Sequence, residues 1–194
     1  CRKIAQRSFR DLWEKDLVYS DEAPTMWDVD FQTAVAQAEA EERLQSGAYC
    51  HIEFGVEESD ASFVIVTTRP ELLPACVGVA AHPEDDRYRA LFGKRAVTPL
   101  FRASVPIFAS ELADPEKGSG ILMVCTFGDQ TDVTWWREQK LPLRQVIGRN
   151  GRLVELTFGE GDYPSEKPEM ANRHYGELIG KTVVTARKLV VDML

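Results

Sequence analysis

Val-Thr-Thr-Arg-Pro-Glu, at residues 66–71, and Cys-Thr-Phe-Gly-Asp-Gln-Thr-Asp, at residues 125–132, each continue a short apolar segment. Each stretch therefore predicts a β-strand that runs into a polar turn. The turns carry hydroxyls, a guanidinium and carboxylates, more hydrogen-bonding groups than a structural turn needs. Together they predict a pocket for a small polar group.

Short apolar segments recur on both sides of these turns, separated by glycines and prolines. The pattern predicts strands at residues 49–56, 62–67, 77–81, 96–100, 105–109 and 121–124. Many short strands at such spacing are typical of a barrel-like β-domain.

Helical patterns flank this region. Ile4, Phe9, Leu12 and Trp13 recur at roughly helical spacing and predict a helix near the start of the chain. Residues 32–44 are rich in Ala, Glu and Gln and predict a second helix. Asp129 or Thr131 is expected to cap a third helix that ends at Lys140. Residues 171–194 predict one helix or two short ones.

Composition and charge indicate whether nucleic acid, a metal or a membrane is an expected partner. The chain has 194 residues and a net charge of −8, whereas a domain that binds nucleic acid by itself is usually basic. The four cysteines lack metal-clip spacing, so no zinc is expected, and Cys76 and Cys125 are predicted to be reduced core residues. No apolar stretch has membrane length. Because the chain starts at Cys1 and ends in a helical pattern, we interpret it as a piece of a longer polypeptide.

Each candidate motif has a structural alternative. Asp129 and Asp132 are either a helix cap with a dipole-compensating acid, or a negative site for an ammonium group or a water. Residues 67–70 are either a turn or a site for a sugar–phosphate or carboxyl group. Residues 180–182, Gly-Lys-Thr, lack the first glycine of a phosphate loop, and a helix junction is expected there. Of Trp135 and Trp136, one ring is expected in the core and one at an edge.

Taken together, the segments resemble the editing domain inserted in class I aminoacyl-tRNA synthetases of the valyl, isoleucyl and leucyl group. Residues 67–70 resemble the threonine-rich signature of that family, and residues 118–120 resemble its Gly-Thr-Gly. Asp132 falls at the family's essential aspartate, and Asp129 matches a second acid common in the valyl branch. Residues 27–28, 32–39 and 123–136 are also similar to that branch.

The resemblance implies a mixed α/β fold with a β-barrel-like core and peripheral helices. It divides the chain into a helical lead-in at 1–48, an editing core at 49–170 and a helical segment at 171–194 that returns to the parent enzyme. The implied activity is hydrolysis of the ester of mischarged Thr-tRNA(Val) by water, without metal or cofactor and without aminoacylation. An isoleucyl-type domain acting on Val-tRNA(Ile) and a non-catalytic tRNA-docking module are the alternatives. A cytoplasmic, monomeric fragment is expected, which meets the tRNA 3′ end mainly through the parent enzyme.

The resemblance also implies roles for individual residues. Asp132 would hold the α-ammonium group, Asp129 would meet the threonine hydroxyl, and Thr67 and Thr68 would line the terminal adenosine and the reacting ester together with Arg69. The further expected substrate-binding residues are Glu71, Gly118, Ser119, Gly120, Thr126 and Thr131. The chain departs from valyl relatives where they read the amino acid side chain: Leu72, Met123 and Cys125 replace polar residues. Gly128 replaces a histidine.

Overall fold

The computed structural model describes residues 2–20, 23–39, 41 and 46–194. These residues form eight strands and four α-helices. The strands are β1 Met26–Asp28, β2 Thr33–Val35, β3 Cys50–Val56, β4 Ser62–Thr67, β5 Cys76–Ala81, β6 Arg95–Val97, β7 Ser104–Ala109 and β8 Ile121–Cys125. The helices are α1 Arg2–Trp13, α2 Gln130–Gln139, α3 Pro168–Gly176 and α4 Val183–Met193.

Six of the strands form one curved sheet, in the order β4-β3-β6-β7-β5-β8. Strands β5 and β7 pair in parallel, and the other neighbours pair antiparallel. The two edge strands, β4 and β8, also contact each other. Beside them, the Val66 backbone N–H of β4 donates to Oγ of Ser119, two residues before β8, at 3.2 Å. The sheet is therefore a nearly closed barrel, and the predicted mixed α/β fold with a barrel-like core is confirmed.

The strand predictions are confirmed to within one residue, except at β6. That strand was expected to reach residue 100 but ends at Val97. Leu100 and Arg102 have φ angles of +59° and +50°, a left-handed conformation that a strand does not contain. The chain turns there, and Thr98 closes the turn by accepting the Ala103 N–H at 2.9 Å.

Buried and exposed residues alternate along the strands, and the buried ones form the core. In β3, Ile52, Phe54 and Val56 are buried, while His51 and Glu53 point to solvent. This inner face continues into buried residues of α3 and α4, including Tyr175 and Val190. A smaller apolar cluster joins the opposite face of β5 and β8 to Trp135 of α2. This cluster fixes helix α2, whose first turn forms part of the candidate site, to the sheet.

The helix predicted at residues 32–44 is wrong where the chain is described. Thr33–Val35 pairs with Met26–Asp28 as a hairpin, and only Gln37–Glu39 forms a single 3₁₀ turn. Residues 40 and 42–45 lie outside the described residues. Asp28 Oδ1 accepts the backbone N–H groups of Asp30 and Phe31 at 2.8 and 2.9 Å, and this turn overrides the weak helix propensity of the segment.

The other helix predictions are confirmed. Helix α1 spans the predicted segment, and residues 168–193 form two short helices rather than one. Gly180, with φ +74°, and Thr182, the N-cap of α4, form the expected junction between them. Trp135 is buried in the core and Trp136 is half-buried at its edge. Among the described helices, none has the length and hydrophobicity needed to cross a membrane.

Candidate functional site

Asp132 lies in the first turn of α2 and is only 6% exposed. Its Oδ2 accepts the Gly128 N–H at 2.7 Å, and its Oδ1 accepts the Cys125 N–H at 3.3 Å. Burial raises the pKa of this carboxyl group to about 6; the negative charge of Asp129 adds to the rise, and the hydrogen bond from Gly128 opposes it. At neutral pH the result is a carboxylate in a largely desolvated position, where attraction to a cation is strong.

Asp129 is the N-cap of α2. Its Oδ1 accepts the backbone N–H groups of Thr131 and Asp132 at 2.8 and 3.1 Å, so the capping alternative is confirmed. Its Oδ2 accepts no hydrogen bond from any described residue, and the side chain is exposed. One carboxylate oxygen therefore remains open to a ligand while the other holds the helix that carries Asp132.

The turn after β4 lies beside this helix. Arg69 Nη1 donates to the Gly128 carbonyl, and the Arg69 N–H donates to Thr67 Oγ1 at 3.1 Å. Thr68 is exposed next to them. The structure thus brings the first predicted turn, at Thr67–Arg69, against the second predicted turn at Gly128.

The glycine-rich turn before β8, residues 118–120, helps to hold β4 next to β8. Ser119 Oγ accepts from Val66 and donates to the Ile121 carbonyl at 2.9 Å, so this serine links the two edge strands. Gly120 has φ +78°, and a Cβ there would lie 2.3 Å from Arg87 Nη2. Its neighbour Gly118 has φ +63°. The described contacts of the turn therefore explain how β4 is held next to β8.

The side chains of two further predicted binding residues form hydrogen bonds within the protein. Glu71 is fully buried and accepts two hydrogen bonds of 2.8 Å from the Arg187 guanidinium of α4. Thr126 Oγ1 accepts the Arg144 N–H at 2.9 Å and donates to the Arg144 carbonyl at 3.0 Å. Sequence reasoning did not single out Arg187 or Arg144, since each meets its partner across the fold and leaves no local motif.

A cavity of about 700 Å³ opens next to the α2 N-terminus. Leu72, Val133 and residues 126–130 line one part of it, and residues 24–27, 29, 143 and 145–149 line the rest. Asp132, Thr67, Thr68 and Arg69 are not among the residues that line it. Of the four positions that depart from valyl relatives, Leu72 and Gly128 line the cavity, whereas Met123 and Cys125 do not. Leu72, Met123 and Cys125 are all buried in the same core cluster. Sequence analysis did not assign residues 24–29 or 143–149 to the site, although residues 27–28 are among those similar to the valyl branch.

No protein-family model matches the chain. Individual proteins with similar sequences do match the chain. The chain is 52% identical to a valine--tRNA ligase of Thermobifida fusca (strain YX) over 194 residues, which is 100% of this chain and 21% of that protein. It is 49% identical to the valine--tRNA ligase of Salinispora arenicola (strain CNS-205), again over 100% of this chain and 22% of the relative. The chain thus spans about a fifth of the length of these relatives, and the resemblance to the valyl branch is confirmed.

Among solved structures, the chain has a distant likeness to Agrobacterium radiobacter K84 agnB2 LeuRS, in a ternary complex with tRNA and LeuAMS. The identity is 23% and the TM-score is 0.44, over 67% of this chain and 19% of that one. This likeness is too weak to bear on the function.

Proposed function

We propose a function from one premise: over its whole length, this chain is homologous to a segment of valine--tRNA ligases. The proposed activity is hydrolysis of the aminoacyl ester of Thr-tRNA(Val). Such an activity meets a physical need, because an apolar pocket built for valine does not strongly reject threonine, which replaces a methyl group by a hydroxyl; valine and threonine are the known example of this problem. A second site that hydrogen-bonds the hydroxyl removes the error.

The observation that supports this proposal most is the carboxylate pair at the start of α2. Asp132 is a nearly buried carboxylate, and we place the α-ammonium group of the threonyl ester at its remaining exposed edge. Three residues earlier, Asp129 borders the cavity with its second oxygen open. The pair supplies one acceptor for the ammonium group and another for the threonine hydroxyl.

The remaining predicted residues have three kinds of proposed role. We propose that Thr67, Thr68 and Arg69, which lie against Gly128, stand beside the reacting ester and position the attacking water. Thr131 supplies a backbone N–H to the Asp129 cap. We assign the other residues to holding the walls in place, because their contacts are within the protein: Glu71, Gly118, Ser119, Gly120 and Thr126.

A deacylation assay tests the proposal. We expect the chain to hydrolyse Thr-tRNA(Val) faster than Val-tRNA(Ile) or Val-tRNA(Val), each corrected for spontaneous hydrolysis. The same rates are measured for a Thermobifida fusca ligase in which this chain replaces the matching segment, so that tRNA contacts of the longer enzyme are present. A preference for Val-tRNA(Ile) would support the isoleucyl alternative, and no hydrolysis in either form would support a docking module.

Asp129 is expected to carry the preference for threonine over valine. Asp129→Ser keeps a side-chain oxygen that caps α2 as well as aspartate does, but removes the outward carboxylate oxygen. Loss of one charged hydrogen bond should lower the ratio of the Thr-tRNA(Val) rate to the Val-tRNA(Val) rate by about ten- to a hundredfold. Asp129→Ala, which loses the cap as well, is the comparison. An unchanged ratio in the serine variant would leave Asp129 as a helix cap alone.

The raised pKa of Asp132 predicts a bell-shaped pH profile. The carboxyl group must lose its proton to bind an ammonium group, so kcat/KM on Thr-tRNA(Val) should rise through a pH of about 6. It should fall as the substrate's ammonium group deprotonates, at about 7.7–8.0 for an α-amino group. In Asp132→Asn the lower limb should be missing from any residual activity. A parent profile that is flat between pH 5 and about 7 would contradict the proposed role.

A further inference from the structure

Gly128 is the residue through which the two turns of the candidate site touch. Its N–H donates to Asp132 Oδ2 at 2.7 Å, and its carbonyl accepts from Arg69 Nη1. A Cβ at this position would lie 2.6 Å from Asp132 Oδ2, so the absence of a side chain lets the carboxylate approach the backbone closely. Glycine also has the most conformational freedom of any residue. The hydrogen bond from Arg69 therefore restrains a backbone segment that would otherwise hold Asp132 loosely.

Arg69 has a second, competing acceptor in the buried carboxylate of Glu71. Arg69 Nε lies 3.4 Å from Glu71 Oε1, whereas the Arg187 guanidinium makes two hydrogen bonds of 2.8 Å to the same carboxylate. Glu71 is fully buried in the 3₁₀ helix Pro70–Ala75, which contacts α4. A buried carboxylate needs a charged partner. Without Arg187, it would draw the Arg69 guanidinium away from the neutral carbonyl of Gly128, because hydrogen bonds between charged groups are the stronger ones.

We propose that Arg187 is a positioning residue for the hydrolysis, although it does not line the cavity. By satisfying Glu71, it leaves the Arg69 guanidinium to hold the Gly128 carbonyl. Gly128 in turn holds the carboxylate of Asp132. The inference rests on the proposed function, since it assigns a residue that supports the same site. It makes the geometry at the start of α2 depend on a side chain of α4, which the two turns alone do not indicate.

Asp129 depends on the same contact. The Gly128 carbonyl belongs to the peptide group that joins Gly128 to Asp129, the N-cap of α2. Displacement of Arg69 would therefore disturb both proposed acceptors, the one for the ammonium group and the one for the threonine hydroxyl. We expect the loss to appear in the maximal rate of hydrolysis more than in the protein concentration that gives half of that rate.

A double-mutant cycle tests whether Arg187 acts through Arg69. Single-turnover deacylation of Thr-tRNA(Val) is measured for the parent chain, Arg187→Met, Arg69→Gln and the double variant, at a temperature where circular dichroism shows each to be folded. Arg187→Met should lower the maximal rate about three- to tenfold. In the Arg69→Gln background the same substitution should change the rate less than about twofold. Arg187→Lys keeps the charge but not the two-pronged geometry, and its rate should lie between those of the parent and Arg187→Met.

The amide signal of Gly128 gives a readout that does not depend on hydrolysis. It is assigned by NMR on the 13C,15N-labelled chain. We expect the Gly128 amide proton to move upfield in Arg187→Met and in Arg69→Gln, because its hydrogen bond to the Asp132 carboxylate lengthens. Leu178→Ala is the matched control, since Leu178 is fully buried and belongs to none of these contacts. It should lower the thermal midpoint by a comparable amount, leave the Gly128 signal in place and change the maximal rate less than about twofold.

Equal rates in the parent and Arg187→Met, additive losses in the double variant, or an unmoved Gly128 signal would each overturn the inference. An equal loss of rate in Leu178→Ala would also overturn it, because lowered stability would then be the cause. The outcome is separate from that of the deacylation assay. A Gly128 signal that moves in Arg187→Met, in a chain that hydrolyses nothing, would sink the proposed activity but keep the coupling between Arg187 and Asp132. Hydrolysis by the parent, with the rate and the signal unchanged in Arg187→Met, would do the reverse.

Discussion

Asp132→Asn should lower the rate of Thr-tRNA(Val) hydrolysis by about a hundredfold or more. The substitution keeps the shape of the side chain and removes the charge that would hold the α-ammonium group. Loss of a charged hydrogen bond accounts for roughly ten- to a hundredfold, and the misplacement of the ester that follows adds to it. The measurement is single-turnover deacylation at a pH of about 7, where the parent carboxyl group is ionised.

A measurement of thermal stability distinguishes the loss of ammonium binding in Asp132→Asn from unfolding of the variant. The raised pKa means that the folded protein binds the Asp132 proton more tightly than the unfolded chain does, so the carboxyl group favours folding below a pH of about 4 and loses that contribution as the pH rises through about 6. At neutral pH an asparagine avoids the desolvation cost of the carboxylate, but its NH2 group cannot accept the backbone N–H that the second carboxylate oxygen accepts. These two effects oppose each other, so we expect only a small change in the thermal midpoint. Glu138→Gln, an exposed acid on the same helix, is the matched control and should leave the rate unchanged. Parental activity in Asp132→Asn would reject the ammonium-binding role.

Arg187→Met should cause the largest loss of stability. It leaves the fully buried Glu71 carboxylate with only the weaker contact to Arg69 Nε, at 3.4 Å. Removing one partner of a buried ion pair costs about 3–5 kcal/mol, and we expect roughly the lower figure because Arg187 itself is 40% exposed. For a chain of this size the thermal midpoint should fall by about 6–12 °C, as measured by circular dichroism.

The reverse substitution gives the internal comparison. Glu71→Gln should cost less than Arg187→Met, because the partly exposed guanidinium can be hydrated whereas the buried carboxylate cannot. Lys188→Met, at the next and exposed position of α4, should change stability by less than about 0.5 kcal/mol. A larger loss in Glu71→Gln than in Arg187→Met would show that the buried carboxylate is not the group that needs compensation.

Features that depend on neighbours along the chain could be predicted from the amino-acid sequence. Alternating burial in β3 follows from alternating apolar and polar residues. Asp129 caps α2 because its carboxylate reaches backbone N–H groups two and three residues ahead. The signature segments also sufficed for the resemblance to the valyl branch, because they combine specific residues at fixed spacing.

Features that depend on residues far apart in the chain became visible only in the folded protein. Ala, Glu and Gln after residue 32 favour a helix, but Thr33–Val35 pairs with β1 as a strand. Helix propensities differ by only about a few tenths of a kcal/mol per residue, so the contacts of a hairpin outweigh them. Barrel closure and the packing of α4 place Glu71, one of the predicted binding residues, against Arg187, 116 residues away. Trp27 and Arg149 are 122 residues apart, and only folding brings the Trp27 indole N–H to the Arg149 carbonyl. Such contacts have no local pattern, since they are set by the packing of whole elements.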